Sequence, residues 1–449
     1  MTNNTAPNMP STHPVFGLFT EFQNDPLDLL ERSRAFGDVI KMRFFNRSNY
    51  VMHHPDAVQQ VLVKNADKFQ KDPFISGALE PFIGNGLVRS EGEHWKRQRK
   101  MMQPAFHTQR IRHYADTIVE RTQALMQDWQ ENPERDIQAD MVHLTSGIIG
   151  LTLFGHNASD QSERISKLLL EFNQLTLQRA QQINLPRWMP TAHNRAINEL
   201  VSAFDSIIMQ FIEERRKEMI DHGDLLSMLL LSEDENGQRM SAQEVRDEAA
   251  TLFLAGNDTT AVSLTWTLYL LSQHPDVAEK IRAEVDSVAT GRALSFEDLR
   301  AMPYVDAVIK ESQRLYPSAW AFSRECIADT EIMGYHIPKS SVVTLSPWVM
   351  HHDETFWADA HAFKPERFLE ENDLPKYAYY PFGGGQRVCI GNNFAMMEMR
   401  LILATIVHQM QVDYINAEAP HPDPLLVLQP DKRVNIKARI LENIPEPTF

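Results

Sequence analysis

A cysteine near the C-terminus lies in a stretch that can present it to a metal ion. Residues 381–391 read Pro-Phe-Gly-Gly-Gly-Gln-Arg-Val-Cys-Ile-Gly, and a helix is predicted to follow. The glycines allow a close backbone approach to a flat, bulky group or a positive φ. The amides of the following helix and the guanidinium of Arg387 favour a thiolate at Cys389. Haem iron is one metal that a single cysteine thiolate holds. A small buried hydrophobe is the alternative, and we assign that role to Cys326.

An acid and a hydroxyl group lie side by side in the middle of a long apolar helix predicted over 242–272. They are Asp258 and Thr259, and they follow Gly256, which costs about 1 kcal/mol against alanine in a helix interior. A glycine and a hydroxyl can open a helix locally and admit water or a small ligand. We interpret the pair as a proton relay. A solvated helix face is the alternative, which the apolar residues on both sides disfavour.

Two places in the sequence are suited to bind carboxylates. Trp95 and Arg99 are four residues apart on a predicted basic helix and share one face, where an indole N–H and a guanidinium can hold an anion together. Arg324 follows an apolar run, and a cation in such a place needs an anion nearby.

Glu311 and Arg314 put opposite charges on one face of a predicted helix. Taken alone this pair is a weak signal, because most such pairs are exposed and contribute little to stability. Arg367, in the stretch 363–368, offers a third partner. We therefore expect a buried Arg–Glu–Arg network.

Length and composition bound the class of protein. The 449 residues contain 44 Lys and Arg against 60 Asp and Glu, a net charge of −16, which argues against nucleic-acid binding. With only two cysteines, the fold is not expected to rest on a disulfide framework. This cysteine usage favours a reducing, intracellular setting. No signal peptide is visible, and no window approaches the ~18 apolar residues of a membrane span. We therefore expect a cytoplasmic protein.

The predicted elements indicate a mainly α-helical protein with a small β lobe, folded as a single domain over 15–449 after a disordered polar tail over 1–14. The stretch 71–90 holds three glycines and two prolines, and we predict a functional loop there. Strands are predicted over 39–44, 50–52, 332–337, 342–345, 425–428 and 434–439. Helices are predicted over 26–34, 55–64, 93–102, 110–130, 141–154, 160–181, 196–219, 225–231, 242–272, 276–288, 304–315 and 392–410.

Together these motifs resemble those of the cytochrome P-450 family of haem-thiolate monooxygenases. The family's F-x-x-G-x-R-x-C-x-G signature falls at Phe382, Gly385, Arg387, Cys389 and Gly391. A-G-x-D-T-T falls at 255–260, E-x-x-R at 311–314, P-E-R-F at 365–368 and W-x-x-x-R at 95–99. These five motifs keep the order and spacing of the family.

The resemblance implies a triangular prism of helices with a small β lobe, bound to haem b. Cys389 would ligate the iron, and Asp258 and Thr259 would deliver protons to bound dioxygen. The structural network would contain Glu311, Arg314 and Arg367. Further haem contacts would come from Trp95, Arg99, Arg324, Phe382, Arg387 and Gly391. The substrate pocket would include Phe74, Ile75, Phe82, Phe253, Ala255, Ala319, Trp320, Leu425 and Leu426.

The apolar lining implies an apolar substrate, such as a fatty acid or a terpenoid, into which one oxygen atom from dioxygen is inserted. No flavin or iron–sulfur domain follows the cysteine loop, so we expect a monomer that takes electrons from a ferredoxin or flavodoxin with an NAD(P)H reductase. Lys96, Arg97 and Lys100 are candidates for that contact, and a solvated helix face is the alternative. Alternatives on the same fold are a peroxygenase and a non-catalytic haem-binding protein.

Overall fold

The computed structural model describes residues 4–155, 191–218, 220–289, 291–370 and 373–441, with single positions at 164, 168, 171 and 189. The chain forms two compact units, each made of three chain segments. Unit one contains Met1–Ile75, Ala307–Asn392 and His421–Asp431, and unit two contains Ser76–Asp306, Asn393–Pro420 and Lys432–Phe449. The fold is mainly helical with small sheets, as the sequence predicted.

Unit one holds the largest sheet, with five strands in the order β1-β2-β8-β5-β3. The strands of the described residues are β1 (Val39–Phe44), β2 (Arg47–Met52), β3 (Phe69–Lys71), β4 (Glu134–Asp136), β5 (Phe322–Cys326), β6 (Thr330–Ile332), β7 (Tyr335–Ile337), β8 (Val342–Leu345), β9 (Met410–Tyr414), β10 (Pro422–Pro424), β11 (Leu428–Pro430) and β12 (Asn435–Ile440). β2 and β8 are parallel, and the other pairs of this sheet are antiparallel. Among its described residues, unit two has one sheet, in which β12 lies between β4 and β9.

The N-terminal tail lies along β1. Met9 N–H donates to Lys41 O over 3.0 Å, and Lys41 N–H donates to Pro7 O over 2.8 Å. Ala6 and Met9 are buried in the core of unit one. The described part of the tail is therefore ordered, in contrast to the disorder that its polar composition predicts. Backbone hydrogen bonds to the edge strand and two buried apolar side chains offset the lost chain entropy.

Most of the longer helices belong to unit two, whereas the helices before residue 60 belong to unit one. The α-helices of the described residues are α1 (Phe19–Asn24), α2 (Pro26–Ser33), α3 (Pro55–Gln59), α4 (Pro73–Ile83), α5 (Gly92–Met102), α6 (Thr108–Ile111), α7 (Ala115–Glu131), α8 (Ile137–Phe154), α9 (Ala192–Glu218), α10 (Leu225–Leu231), α11 (Ala242–Gln273), α12 (Pro275–Ala289), α13 (Pro303–Leu315), α14 (Pro347–His351) and α15 (Asn392–Gln409). α10, α11 and α12 agree with the predicted bounds to within one residue. The helix predicted over 160–181 lies outside the described residues, apart from three single positions.

The clearest departure from the predicted elements is α4, in the stretch for which the sequence predicts a loop. Leu79, Phe82 and Ile83 are spaced as one helical face and are buried. The glycines and prolines of the stretch obscure this apolar pattern. Two segments that the sequence predicts as single strands, 332–337 and 425–428, fall instead on hairpins. A turn separates β6 from β7 in the first and β10 from β11 in the second.

Helix α8 is long and apolar enough to cross a membrane by length and composition, although the sequence analysis predicts no such window. Of its 18 residues, 72% are buried inside the protein, as is usual for a core helix. Its Asp140 accepts hydrogen bonds from Trp129 Nε1 over 2.7 Å and from Arg135 Nη2 over 2.7 Å. No other helix among the described residues passes the same test.

Candidate active site

The loop before Cys389 is fixed by its own backbone. Gly383 N–H donates to Tyr380 O over 2.9 Å, and Cys389 N–H donates to Phe382 O over 3.0 Å. Gly383 and Gly385 adopt φ angles of +70° and +65°, where a side chain would be strained. The loop thus folds back on itself and leaves the Cys389 side chain exposed.

The glycines also let the loop lie directly on the rest of unit one. A Cβ on Gly385 would overlap the backbone oxygen of Leu62, and a Cβ on Gly384 would overlap the ring of Tyr377. Leu62 belongs to the π-helical turn Gln60–Lys64, which continues α3. Close packing within unit one therefore explains these two glycines.

The two cysteines have opposite environments. Cys326 on β5 is 1% exposed in a hydrophobic cluster of unit one. Its Sγ–H donates to Ala328 O over 2.9 Å, and burial raises the pKa of this thiol. Cys389 is exposed, two residues after half-buried Arg387 and three residues before the start of α15. A sulfur donor beside a cation and a helix N-terminus is suited to ligate a metal as thiolate.

Arg324 lies on β5, next to Phe322, whose ring is close to the cysteine loop. Its guanidinium carbon is 5.1 Å from the ring centre of Phe322, and its Nη1 donates to Ser323 O over 2.9 Å. The Phe322 ring is 6.2 Å from the ring of Tyr380 and within 4.0 Å of a Cβ placed on Gly383. This half-buried cation is therefore in the neighbourhood of the loop within unit one.

The three residues of the predicted network are in contact. Arg314 donates to both carboxylate oxygens of Glu311, over 2.7 and 2.8 Å, and Arg367 Nε donates to Glu311 Oε1 over 3.0 Å. Arg314 and Glu311 are fully buried. The other N–H groups of Arg314 donate to the carbonyl oxygens of His351, Ala360 and Ala362. The network thus holds the stretch 351–367 against α13.

Helix α11 carries the acid–hydroxyl pair without a break. Its start is a capping box between Ser241 and Glu244, and it is regular over Ala242–Gln273. Thr259 Oγ1 donates to Ala255 O over 2.9 Å, so the hydroxyl bonds to a carbonyl of its own helix. The expected local opening of the helix is therefore wrong.

Gly256 serves the packing of α11 against α8 instead. A Cβ at this position would lie 3.1 Å from Ile149 Cδ1, which is tighter than ordinary contact. Beside it, Thr145 Oγ1 donates to Asn257 Oδ1 over 2.7 Å, and Asn257 Nδ2 donates to Asp258 Oδ1 over 3.3 Å. Hydrogen bonds therefore connect α8 to Asp258.

One face of α11 is open near its middle. Most positions of the helix from Val245 to Leu271 are buried, but Ala255 is exposed and Asp258 and Thr259 are half buried. These three residues fall on one side of the helix by their spacing. An alanine exposed within a buried helix marks open space beside it, next to a carboxylate and a hydroxyl.

Helix α5 places Trp95 and Arg99 on one face, with Trp95 buried and Arg99 half buried. Arg97 bridges Asp234 and Glu244, each over 2.7 Å. Arg97 is thus committed to ion pairs within unit two, which corrects the docking role expected for it. The other pairs are Lys96 with Glu93 and Lys100 with Glu235, and all four side chains are exposed.

The residues expected to line a substrate pocket differ in exposure. Phe74, Ala255 and Leu426 are exposed. Phe82 and Phe253 are fully buried, and the Phe82 ring lies 4.4 Å from that of Phe204. In unit one, Ala319 and Leu425 are half buried and Trp320 is buried, its Nε1 donating to Leu425 O over 2.9 Å. The side chain of Ile75 lies outside the described residues.

Two buried carboxyl groups were missed by the sequence reasoning. Glu398 on α15 is fully buried and hydrogen-bonded to the Thr260 hydroxyl, next to Thr259; burial raises its pKa to about 8. Glu248 on α11 is buried as well, and burial raises its pKa to about 8. The signal in the sequence is an acid within a run of apolar helical residues.

Comparison with known proteins agrees with these features. The family model described as Cytochrome P-450 matches residues 7–438. "Cyclooctatin synthase" of Streptomyces melanosporofaciens is 33% identical, over 98% of this chain and 95% of the relative. "Cyclooctat-9-en-7-ol 5-monooxygenase" of the same organism is 33% identical, over 91% of this chain and 90% of the relative.

A solved structure has the same fold. It is described as "Retinoic acid bound cyanobacterial CYP120A1", and it superposes with a TM-score of 0.88 at 25% identity, over 98% of this chain and 100% of that one. Enzymes of this family use a substrate, dioxygen and redox partners. The chain therefore belongs to the cytochrome P-450 family, as a haem-thiolate monooxygenase that binds haem b.

Proposed function

We propose that this enzyme inserts one oxygen atom into a cyclic terpenoid and that Cys389 is its iron ligand. The observation that carries the second part is the exposed Cys389 thiol in its glycine loop, since the other cysteine is buried and hydrogen-bonded. Bound haem supplies the activation of dioxygen, and a thiolate ligand favours cleavage of the O–O bond.

The described residues fit haem b. A flat cofactor needs a sulfur donor without bulky neighbours, and the loop before Cys389 offers three glycines and an exposed thiol. Its carboxylates need N–H donors, and the half-buried guanidinium groups of Arg324 and Arg387 are the candidates in unit one. Trp95 and Arg99, which share one face of α5, remain proposed donors of the same kind. Phe382 and Gly391 complete the proposed set of cofactor contacts.

Asp258 and Thr259 are proposed to move protons. The Thr259 hydroxyl is the last proton donor of the relay, and it donates a hydrogen bond to Ala255 O over 2.9 Å. The Asp258 carboxyl group, which accepts a hydrogen bond from Asn257 Nδ2 over 3.3 Å, takes up a proton from water and passes it to the Thr259 hydroxyl as that hydroxyl gives up its own proton. The opening at Ala255 gives a small reactant access to this hydroxyl.

Thr259→Ala should uncouple the reaction. A positioned proton donor contributes on the order of 100-fold to the step it serves, so product per NAD(P)H should fall severalfold while NAD(P)H is still consumed and peroxide accumulates. The matched control is Thr265→Ala on the same helix, because Thr265 Oγ1 is buried and bonds to Ala261 O over 2.8 Å. Unchanged coupling in Thr259→Ala would remove the relay and favour a peroxygenase.

The substrate class is proposed from the relatives and an exposed apolar residue. The name of one relative denotes a cyclic alkenol, and the solved structure holds retinoic acid. Both are isoprenoid in character, which supports a cyclic terpenoid above a linear fatty acid. Exposed Ala255, on the open face of α11, is apolar, in keeping with such a ligand.

A reconstitution assay tests this function. We propose a cytoplasmic monomer that receives electrons from a ferredoxin or flavodoxin and its NAD(P)H reductase. Cyclic terpenoids should shift the haem spin state and yield hydroxylated products, whereas linear fatty acids should bind more weakly. Omitting the electron carrier should abolish product. If peroxide alone sustains the full rate, or fatty acids are preferred, the proposal is overturned.

A further inference from the structure

Two consecutive carboxyl groups on α11 bind the segment that joins α4 to α5. Asp247 Oδ2 accepts the N–H of Asn85 over 2.9 Å, and Glu248 Oε2 accepts the N–H of Leu87 over 3.0 Å. Both bonds go to backbone groups, so they fix the path of the segment 84–87. We refer to this arrangement as the carboxyl clamp.

The clamp requires the segment to lie directly on the helix. A Cβ on Gly84 would overlap the Asp247 carboxyl group, and a Cβ on Gly86 would overlap Thr251 Oγ1 and lie 2.7 Å from Asp247 O. Glycine at both places therefore permits a backbone approach that no other residue allows.

A side chain of α5 also binds the segment. Within the clamp, the Asp247 carboxylate accepts several hydrogen bonds besides the one from the segment. Gln98 Nε2 donates to Asn85 O over 3.0 Å. The Asp247 carboxylate receives Gln243 Nε2 over 2.8 Å and Arg246 Nη1 over 3.1 Å as well as the Asn85 amide. Asp247 is therefore well satisfied as a carboxylate despite being buried.

Glu248 lies in a different electrostatic environment. It is 0% exposed, and Oε1 has no hydrogen-bond partner among the described residues. Burial raises its pKa to about 8, the Leu87 N–H lowers it, and Asp247 and Glu244 raise it further. The cations of the surrounding elements pair elsewhere: Arg246 with Asp247 and Asp205, Arg97 with Glu244 and Asp234, and Arg89 with Glu80. These surroundings favour the neutral form of the Glu248 carboxyl group.

Glu248 of the clamp lies on the same face of α11 as the opening described above. Glu248, Ala255 and Thr259 are separated by seven and four residues, which keeps them on one helical face. Thr259 is about 16 Å from Glu248 along the helix axis. The clamped segment therefore borders the side of α11 that carries the proposed proton donor.

We propose that Asp247 and Glu248 are positioning residues that hold the segment 84–87 as a wall of the substrate site and so determine which substrates fit. This inference rests on the proposed function, since it takes the open face of α11 as the substrate side. Buried Phe82, packed on Phe204, anchors the preceding helix, so the segment is fixed at both ends. Releasing the clamp changes the width of the site without touching the proton donor.

The test compares Glu248→Leu, which cannot accept the Leu87 N–H, with Glu248→Gln, which can and which stays neutral at any pH. The probes are imidazole and 1-dodecylimidazole, whose binding to haem is read from the Soret band and needs no turnover. Losing a hydrogen bond that orders the wall should change the ratio of the two dissociation constants about tenfold in Glu248→Leu. Glu248→Gln should keep the wild-type ratio at pH 7. Asp140→Asn controls for loss of a buried carboxylate elsewhere in unit two.

The pH profile of stability reports on the buried carboxyl group, and the probe ratio reports on positioning. Folding raises the pKa of Glu248 above the ordinary value of 4.5, so the folded state loses stability relative to the unfolded chain as the pH rises from 4.5 to about 8. The free energy of unfolding of the wild type should therefore fall over this range relative to that of Glu248→Gln, whereas the two proteins should keep the same probe ratio, because a carboxylate and an amide oxygen both accept the Leu87 N–H. A wild-type probe ratio in Glu248→Leu, or a ratio in Glu248→Gln that departs from the wild type as far as that of Glu248→Leu, overturns the inference. Failure of the proposed function has a different signature, in which the wild-type protein binds both probes but oxidises no terpenoid.

Discussion

Cys389→Ala should abolish the thiolate-type Soret band of the reduced carbon monoxide complex and reduce turnover to background. A cysteine thiolate would hold the haem iron and supply electron density to it, and alanine offers no donor atom. Because the Cys389 side chain is exposed, its removal should change the free energy of unfolding by only about 0.5 kcal/mol. The loss should therefore appear in the spectrum and not in the yield of folded protein.

Cys326→Ala is the matched control, since it removes the only other sulfhydryl group of the chain. Cys326 is buried on β5 and bonded to Ala328 O, so this variant should lose about 1 kcal/mol of stability through a cavity and a lost hydrogen bond. Its Soret band should match that of the wild type. A normal band in Cys389→Ala, or a lost band in Cys326→Ala, would show that Cys389 is not the iron ligand.

Much of the candidate site could be predicted because its partners are close in the sequence. Glu311 and Arg314, or Trp95 and Arg99, are three or four residues apart on one helix, and helical periodicity alone puts each pair on one face. The cysteine loop is likewise local, since its bonds run between residues seven or fewer positions apart.

Features that depend on distant partners could not be predicted. Arg97 meets Asp234 and Asp247 meets the Asn85 amide, across 137 and 162 positions of sequence. The sequence shows that a charge is present and gives no indication of which group satisfies it. The sequence therefore predicts a docking role for Arg97, and it gives no indication that Asp247 binds a backbone amide.

Composition misled where packing decided the structure. The glycines and prolines of the stretch 71–90 favour a loop by local propensity, yet burial of Leu79, Phe82 and Ile83 makes that segment helical. In the same way, Gly256 is an unfavourable helix residue by propensity, but the close packing of Ile149 against α11 requires it.

Arg314→Ala should lower the free energy of unfolding by roughly 3–5 kcal/mol, the cost of leaving one member of a buried ion pair uncompensated. Arg314 and Glu311 are both 0% exposed, so water cannot replace the lost partner. The variant also leaves the carbonyl oxygens of His351, Ala360 and Ala362 without their hydrogen-bond donor. In addition, it removes a cation that lies 5.1 Å from the Trp357 ring centre. The urea midpoint of the thiolate-type Soret band and of far-ultraviolet circular dichroism measures this loss.

Arg367→Ala is the graded control for the same network. Its side chain is 14% exposed, and its Nε bond of 3.0 Å is one of several bonds to Glu311, which keeps Arg314 and the Lys364 N–H as partners. A loss of about 1 kcal/mol is expected, as for a single hydrogen bond. Equal losses in the two variants would contradict the central place of Arg314.

A double variant, Glu311→Met with Arg314→Met, decides whether the pair acts through its charges or through the backbone groups that it satisfies. Replacing a buried ion pair by apolar residues of similar volume is often neutral or stabilising when the charges satisfy only each other. Here the pair also binds three carbonyl oxygens and the N–H of Lys364, which methionine cannot bind. The double variant should therefore stay destabilised by several kcal/mol, because each buried backbone group left without a partner costs about 1–3 kcal/mol. Recovery of wild-type stability would instead mean that solvent or rearranged backbone can take over these bonds, and that the stretch 351–367 is held against α13 by apolar packing.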